Sequence, residues 1–178
     1  MITIAKTKSR ELPRLFALYQ TAFPPGERKP FGKILRMAKE GRADLWTIRQ
    51  DGRFAGLAAT VNSPVLVLLD YFAVKKSLRG RGVGTDALLL LNEAYRDRGF
   101  FLEIESTLEQ AENLLQRQKR KRFYESCGLA PMGTEADVFG IRMELLGIRC
   151  HLDFQQYRAF YRDYYSPWAA EHIREVKP

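Results

Sequence analysis

The chain has 178 residues, enough for one domain to bury a core without disulfide or metal staples. With 46% hydrophobic and 28% charged residues it reads as a folded chain, and its longest apolar runs, residues 65–69 and 87–91, fall far short of the roughly 18 residues of a membrane span. The net charge of +8 is concentrated in residues 1–60, where 12 Lys/Arg stand against five Asp/Glu; a basic region suits a polyanionic ligand, but no helix-turn-helix, zinc or RNP signature accompanies it, so nucleic acid is not the expected partner.

In chain order, residues 2–5 suit a first strand. Ser9 is placed to cap a helix reaching about Phe23, with Leu12, Leu15, Phe16, Tyr19 and Phe23 at helical spacing, and Pro24-Pro25-Gly26 stops it. A second helix covers about 30–40. Strands over 45–49 and 54–61 flank a turn with the favoured Asp51-Gly52 pair. Residues 65–74 form a long apolar strand interrupted by Asp70. The period then changes, and 83–98 reads as a helix stopped by Gly99. A strand over 100–105 and a helix over 108–127, ending at Gly128, follow. Short strands are expected near 129–133 and 140–146. The tail places Phe154, Tyr157, Tyr161 and Tyr164 on one helical face, and Ser166-Pro167 opens a further short helix to about Ile173.

The cysteines Cys127 and Cys150 and the histidines His151 and His172 lack zinc-site spacing. The expectation is a cytoplasmic protein with reduced thiols, no metal and no membrane segment.

The segment Arg79-Gly80-Arg81-Gly82-Val83-Gly84-Thr85 joins a strand to a helix. Successive amides entering a helix converge on an anion, glycines let the backbone approach it, and Arg79 and Arg81 add charge. A P-loop would need Lys after Gly84, where Thr85 stands. Residues 82–87 do match the dinucleotide pattern GxGxxA, with Glu103 placed for a ribose hydroxyl. However, residues 75–81 separate the pattern from its strand, and too little chain remains for a doubly wound sheet.

The segment instead resembles motif A of the GNAT superfamily of acyl-CoA N-acyltransferases, and Phe123-Tyr124-Glu125-Ser126-Cys127-Gly128-Leu129 resembles that family's second landmark, about 40 residues later. The order of elements is similar from about residue 2 to 147. The resemblance implies an α+β fold: a central mixed sheet whose parallel strands splay, flanked by helices. It implies an N-acetyltransferase domain over 1–149, leaving 150–178 as an aromatic helical extension packed on the domain or on a partner subunit. It implies acetyl-CoA as cosubstrate, with Phe72, Ala73 and Val74 along the pantetheine and residues 79–85 on the diphosphate. It implies direct passage of the acetyl group from the thioester to a primary amine of a small molecule or a protein. Two positions depart from the family pattern: Arg117 and Arg120 stand where many members have Asn and Ala. The basic run Arg117, Lys119, Arg120, Lys121 and Arg122 suits either the nucleotide phosphates or a solvated face.

The resemblance assigns Tyr124 as the acid for the leaving thiolate; a tyrosine, with a pKa of about 10, holds its proton at neutral pH. An amine attacks only when unprotonated, so a base is useful. Period two places Glu103 and Glu105 on one face of their strand, as a general base or as a structural pair for arginines. Asp70 and Glu27 are further carboxylates to weigh. Leu68 occupies the family's frequent base position and cannot serve. Cys127, with no histidine near in sequence, reads as a buried thiol. The aromatic density of the tail also suits a homodimer contact. A CoA-binding protein without catalysis remains open at this stage, as do the dinucleotide and nucleic-acid readings.

Overall fold

The structure is a computed structural model describing residues 1–176; positions 177 and 178 of the expected C-terminal extension lie outside the described residues. In chain order the elements are β1 (Ile2–Lys6), α1 (Leu12–Ala22), α2 (Phe31–Lys39), β2 (Ala43–Gln50), β3 (Arg53–Asn62), β4 (Leu66–Val74), α3 (Val83–Ala94), β5 (Gly99–Glu105), α4 (Leu114–Ser126), β6 (Ala130–Val138), β7 (Ile141–Ile148), α5 (Phe154–Phe160), α6 (Pro167–Glu171) and β8 (Ile173–Glu175). The strands form a mixed sheet in the order β1-β2-β3-β4-β5-β7-β6-β8. The pair β4–β5 is parallel, matched at Leu66↔Gly99, Val67↔Phe100 and Leu68↔Phe101, and both strands run on beyond that ladder. The pairs β1–β2, β2–β3, β5–β7, β6–β7 and β6–β8 are antiparallel.

Contacts divide the chain into two units. The first comprises Met1–Asn62 and Leu69–Arg96. Its β2–β3 turn puts Asp51 at φ 50° and Gly52 at φ 75°, the doubly left-handed turn that matches strand twist. Leu15, Tyr19 and Ile34 from α1 and α2 pack with Leu45, Leu57, Ala59, Tyr71 and Ala73. Val83 and Ala87 of α3 pack with Ile48, Ala55 and Val74. A buried polar knot closes this unit. The Tyr95 hydroxyl donates to Asp44 at 2.6 Å and accepts from the Trp46 indole at 2.9 Å, while Lys6 pairs with Asp44. This use of Tyr95 accompanies the end of α3 at Ala94, four residues before the expected limit.

The second unit comprises Ser63–Leu68 and the chain from Asp97 onward. Gly99 opens β5 rather than ending a helix. A Cβ there would lie 2.5 Å from Cys150 Cβ and 2.8 Å from Leu66 Cδ2, so close packing explains the glycine. Helix α4 begins at Leu114, not 108, because Thr107 is drawn off by Glu144 and the Leu108 amide donates to Ser106 Oγ at 3.2 Å. Strands β6 and β7 are longer than expected, and Gly140, with φ 84°, lies in the turn between them. In the tail, the chain from Tyr161 to Tyr165 follows a wider helical turn. The Ser166 amide reaches back to the Tyr161 carbonyl at 2.7 Å. That extra residue moves the core position expected for Tyr164 to Tyr165. The short helix expected to reach about Ile173 ends at Glu171, and residues 173–175 add strand β8 against β6.

Candidate functional site

In the first unit, β4 leads into the glycine segment. Ala73 and Val74 are buried and Phe72 half-buried. The Lys75 amide donates to the Ala55 carbonyl at 2.8 Å. At Gly56 a Cβ would stand 2.4 Å from the Ala73 carbonyl oxygen, so only glycine lets β3 approach this strand so closely. Sequence reasoning passed over Gly56, since its signal, a lone glycine inside a strand, is weak.

A tight turn at residues 76–78 follows, and Arg79 Nε donates back to the Val74 carbonyl at 3.2 Å. Gly80 and Gly82 then take φ of 72° and 78°. Nothing lies within 4 Å of a Cβ at either, so the left-handed backbone, not crowding, calls for glycine. Gly82 caps α3, and the Asp86 amide donates to the Gly82 carbonyl at 3.0 Å. The amides before Asp86 have no intrahelical acceptor. Val83 is buried, so the first helical residue anchors the segment from below, while Gly80, Arg81 and Gly82 are exposed and Gly84 and Thr85 half-buried. The result is a set of free amides at the positive end of a twelve-residue helix, flanked by two arginines: an arrangement suited to a diphosphate.

The same strand fixes the connection between α1 and α2. The Tyr71 hydroxyl donates to the Glu27 carbonyl at 2.9 Å and accepts from the Lys29 amide at 3.1 Å. The Tyr19 hydroxyl donates to the Lys29 carbonyl at 3.0 Å, and the Lys29 ammonium pairs with Asp70, both side chains largely buried. Burial, with the Asp70 charge beside it, pushes the Tyr71 phenol far above its ordinary range. Asp70, the charge in an apolar strand, is thus an ion-pair partner of this latch. An open hollow of about 390 Å³ lies beside it, between Phe16, Tyr19, Phe31 and Arg28.

In the second unit, Glu103 and Glu105 project from β5. The hydroxyls of Tyr157 and Tyr161 both donate to Glu103 Oε1, at 2.7 Å each. Arg117 Nη2 lies 2.9 Å from Glu105 Oε1, and Arg120 Nη1 lies 3.1 Å from Oε2. Both oxygens of Glu105 are thus held, so accepting a proton there would mean loosening an arginine contact, whereas both phenols engage a single oxygen of Glu103. Of the basic run on α4, Arg117, Arg120 and Lys121 face inward into ion pairs, while Lys119 and Arg122 are exposed.

Tyr124 lies on the same stripe of α4 as Arg117, Arg120 and Lys121, since positions i, i+3, i+4 and i+7 share a helix face. It is half-buried, and among the described residues its hydroxyl has no hydrogen-bond partner. Burial pushes the phenol up to about 12, against the opposing pull of Arg120. The helix ends in a turn built on the Tyr124 carbonyl, which accepts from the Cys127 and Leu129 amides at 3.0 and 3.2 Å, with Gly128 at φ 91°. Cys127 is buried, as expected. The sequence did not single out Glu144, a carboxylate only 6% exposed, which accepts from Lys121 and from both the amide and the hydroxyl of Thr107. Burial alone would raise its pKa; these hydrogen bonds outweigh burial and hold it below the usual carboxylate range. Among the described residues no cluster of His, Cys, Asp or Glu is placed to hold a metal ion, and no helix is long and apolar enough to cross a membrane.

Comparison with known proteins bears on this geometry. The model of the acetyltransferase (GNAT) family matches residues 12–129. No curated protein matches the chain. Among solved structures, a putative GNAT acetyltransferase from Bacteroides thetaiotaomicron aligns with a TM-score of 0.73 at 19% identity, covering 92% of this chain and 98% of that one. The ribosomal-protein-S18-alanine N-acetyltransferase of Escherichia coli aligns with a TM-score of 0.62 at 18% identity, covering 85% and 96%. A Bacillus subtilis acetyltransferase solved in complex with CoA aligns with a TM-score of 0.57 at 18% identity, covering 83% and 96%. At these identities the structural likeness concerns the fold.

Proposed function

This chain belongs to the GNAT acetyltransferase family, and on that premise we propose that it moves an acetyl group from acetyl-CoA directly to a primary amine of a small molecule or a protein. The observation that carries the reading is the start of α3. There, two left-handed glycines, Gly80 and Gly82, alternate with Arg79 and Arg81 and lead into unclaimed amides, an arrangement suited to a diphosphate. We assign residues 79–85 to the diphosphate and the backbone of Phe72, Ala73 and Val74 to the pantetheine arm. Residues 1–149 form the transferase domain in this reading, and 150–178 form an extension that brings Tyr157 and Tyr161 to Glu103.

The amine nitrogen attacks the thioester carbonyl, an oxyanion forms, and the C–S bond breaks as the oxyanion collapses. A backbone amide of β4 is suited to stabilise that oxyanion. We assign Tyr124 to the leaving sulfur. With its phenol at about 12 and an ordinary thiol near 8.5, complete proton transfer is uphill. Tyr124 therefore acts chiefly as a hydrogen-bond donor to the developing thiolate, and its partner-free hydroxyl suits that task. The amine proton goes to a β5 carboxylate. Glu103 is the better suited, because neutral phenols hold it, whereas two guanidinium groups hold Glu105.

A panel of amines, from free amino acids and polyamines to peptides with free N-termini, assayed for thiol release from acetyl-CoA, tests this function. At least one class is expected to give turnover that Tyr124→Phe lowers at least tenfold, the usual scale of acid–base assistance. Acetyl-CoA binding without turnover on any amine would favour a non-catalytic CoA-binding protein.

A further inference from the structure

Helix α4 is anomalous in how it is attached. None of its 13 residues is buried, and its sequence, LLQRQKRKRFYES, offers no apolar stripe to the sheet. Its inward stripe is cationic instead. Arg117 and Arg120 grip the two oxygens of Glu105 on β5, and Lys121 grips Glu144 on β7. The clasp is tied off at the N-terminal end of the helix. Asn113 Oδ1 accepts from Arg117 Nε at 2.8 Å, and Arg117 Nη1 donates to the Ser106 carbonyl at 3.1 Å. It is also tied off on the Glu144 side, where Lys121 reaches the Thr107 hydroxyl at 3.3 Å and that hydroxyl donates to Glu144 at 2.6 Å. Glu105 and Glu144 sit opposite neighbours across the β5–β7 ladder: Glu105 pairs with Met143 and Ile104 with Glu144. The two anchors are therefore offset by one residue across an antiparallel pair. The next residue of the same helical stripe is Tyr124, one turn beyond Arg120 and Lys121.

We propose that Glu105 and Glu144 are positioning residues, which fix α4 through Arg117, Arg120 and Lys121 and thereby aim the Tyr124 hydroxyl. The inference rests on the role given to Tyr124 above, but the clasp itself can be judged without it. It accounts for a fact that the proposed chemistry leaves unused: a buried, fully engaged carboxylate at 144. It also gives Glu105 a task other than that of base. Placement matters here because a donor misplaced by about 1 Å from the leaving atom forfeits much of its effect.

Two measurements test the proposal. The first uses no substrate. In protein labelled with tyrosine ¹³Cζ, the Tyr124 signal is assigned by its loss in Tyr124→Phe. Glu105→Gln and Glu144→Gln should each shift or broaden that signal at pH 8, while the signals of Tyr71 and Tyr95 in the first unit stay in place. An unmoved Tyr124 signal in both variants overturns the clasp. The second is a kinetic cycle on the best amine from the panel. Each Glu→Gln change should lower kcat about tenfold in the parent, leave KM for acetyl-CoA within about twofold, and have nearly no further effect in the Tyr124→Phe background. Equal losses in both backgrounds would show a general structural role and refute positioning through Tyr124. Should a Glu144 variant fold poorly, the charge exchange Lys121→Glu with Glu144→Lys supplies the check: it should restore the parent Tyr124 signal and kcat, and failure to restore either counts against the clasp. If Tyr124→Phe alone retains full kcat, the donor role is lost, and the spectroscopic result then decides whether the clasp exists.

Discussion

Helices α3 and α4 are held to the protein by opposite means. Val83, Ala87, Leu88 and Leu91 of α3 are buried, the last three with no exposed surface, so that helix is secured by apolar burial worth roughly 1.5–3 kcal/mol for each large side chain. Helix α4 buries nothing fully and is secured by cations on two carboxylates. Partly exposed ion pairs are individually weak, commonly about 0–1 kcal/mol, and salt screens them. The contrast suits the tasks proposed for the two helices. The first holds a backbone cradle that must keep its shape whatever the solvent; the second sets the direction of one hydroxyl, for which geometry matters more than adhesion.

The contrast can be broken by mutation, and the largest effect is expected in α3. Leu88→Ala should cost about 2–5 kcal/mol in urea unfolding, as a cavity with no solvent access does. A loss well below 1 kcal/mol would mean that α3 is not held as described. Glu144→Gln should cost less, about 1–3 kcal/mol, since it removes the charge from a buried set of hydrogen bonds. Arg120→Gln, at the most exposed arm of the clasp, should lose part of its cost in 1 M NaCl while Leu88→Ala does not; identical salt responses would erase the distinction.

Acid should separate the two in the same way. The folded-state pKa of Glu144 is depressed, so its contribution is fully present above the ordinary carboxylate range and is lost as pH falls through the lower folded value. The parent should therefore lose its advantage over Glu144→Gln between about pH 5 and the onset of acid unfolding, and a difference that stays constant down to pH 3 would contradict this. The smallest effect is expected at Leu115, 73% exposed on the outer face of α4, where Ala should change stability by no more than about 0.5 kcal/mol.

The same contrast explains what was legible in the sequence. Apolar periodicity marked α3, and glycine spacing marked its entry, because both are local signals. The mixed sheet and the family followed from those landmarks. The start of α4 was misplaced because residues 108–113 carry helical spacing while Thr107 is claimed by Glu144, 37 residues away. The basic run on α4 could not be divided into clasp and solvent face without knowing which carboxylates lie beneath it. Gly99 looked like a helix stop and is instead a packing site against Cys150 and Leu66, a distinction only tertiary structure supplies. In the tail, one wider turn exchanged Tyr164 for Tyr165 in the core, and strand β8 gave no signal because three edge residues are too few to show a period. Glu103 and Glu105 were found by period two, yet the phenols and guanidinium groups that hold them come from distant segments.

The central claim is that the amides at the start of α3 hold the diphosphate of acetyl-CoA, and thermal unfolding with added ligand tests it most directly. At a hundredfold excess over Kd, acetyl-CoA should stabilise the parent by about 2.7 kcal/mol, seen as a rise of several degrees in Tm, and NADH should not. Gly82→Asp should fold with a modest loss, about 1–2 kcal/mol for a left-handed non-glycine residue, because open space surrounds its Cβ. It should nevertheless show no rise with acetyl-CoA, since the new carboxylate repels the diphosphate. A parent that does not respond to acetyl-CoA, or a Gly82→Asp variant that responds as fully as the parent, would contradict the account.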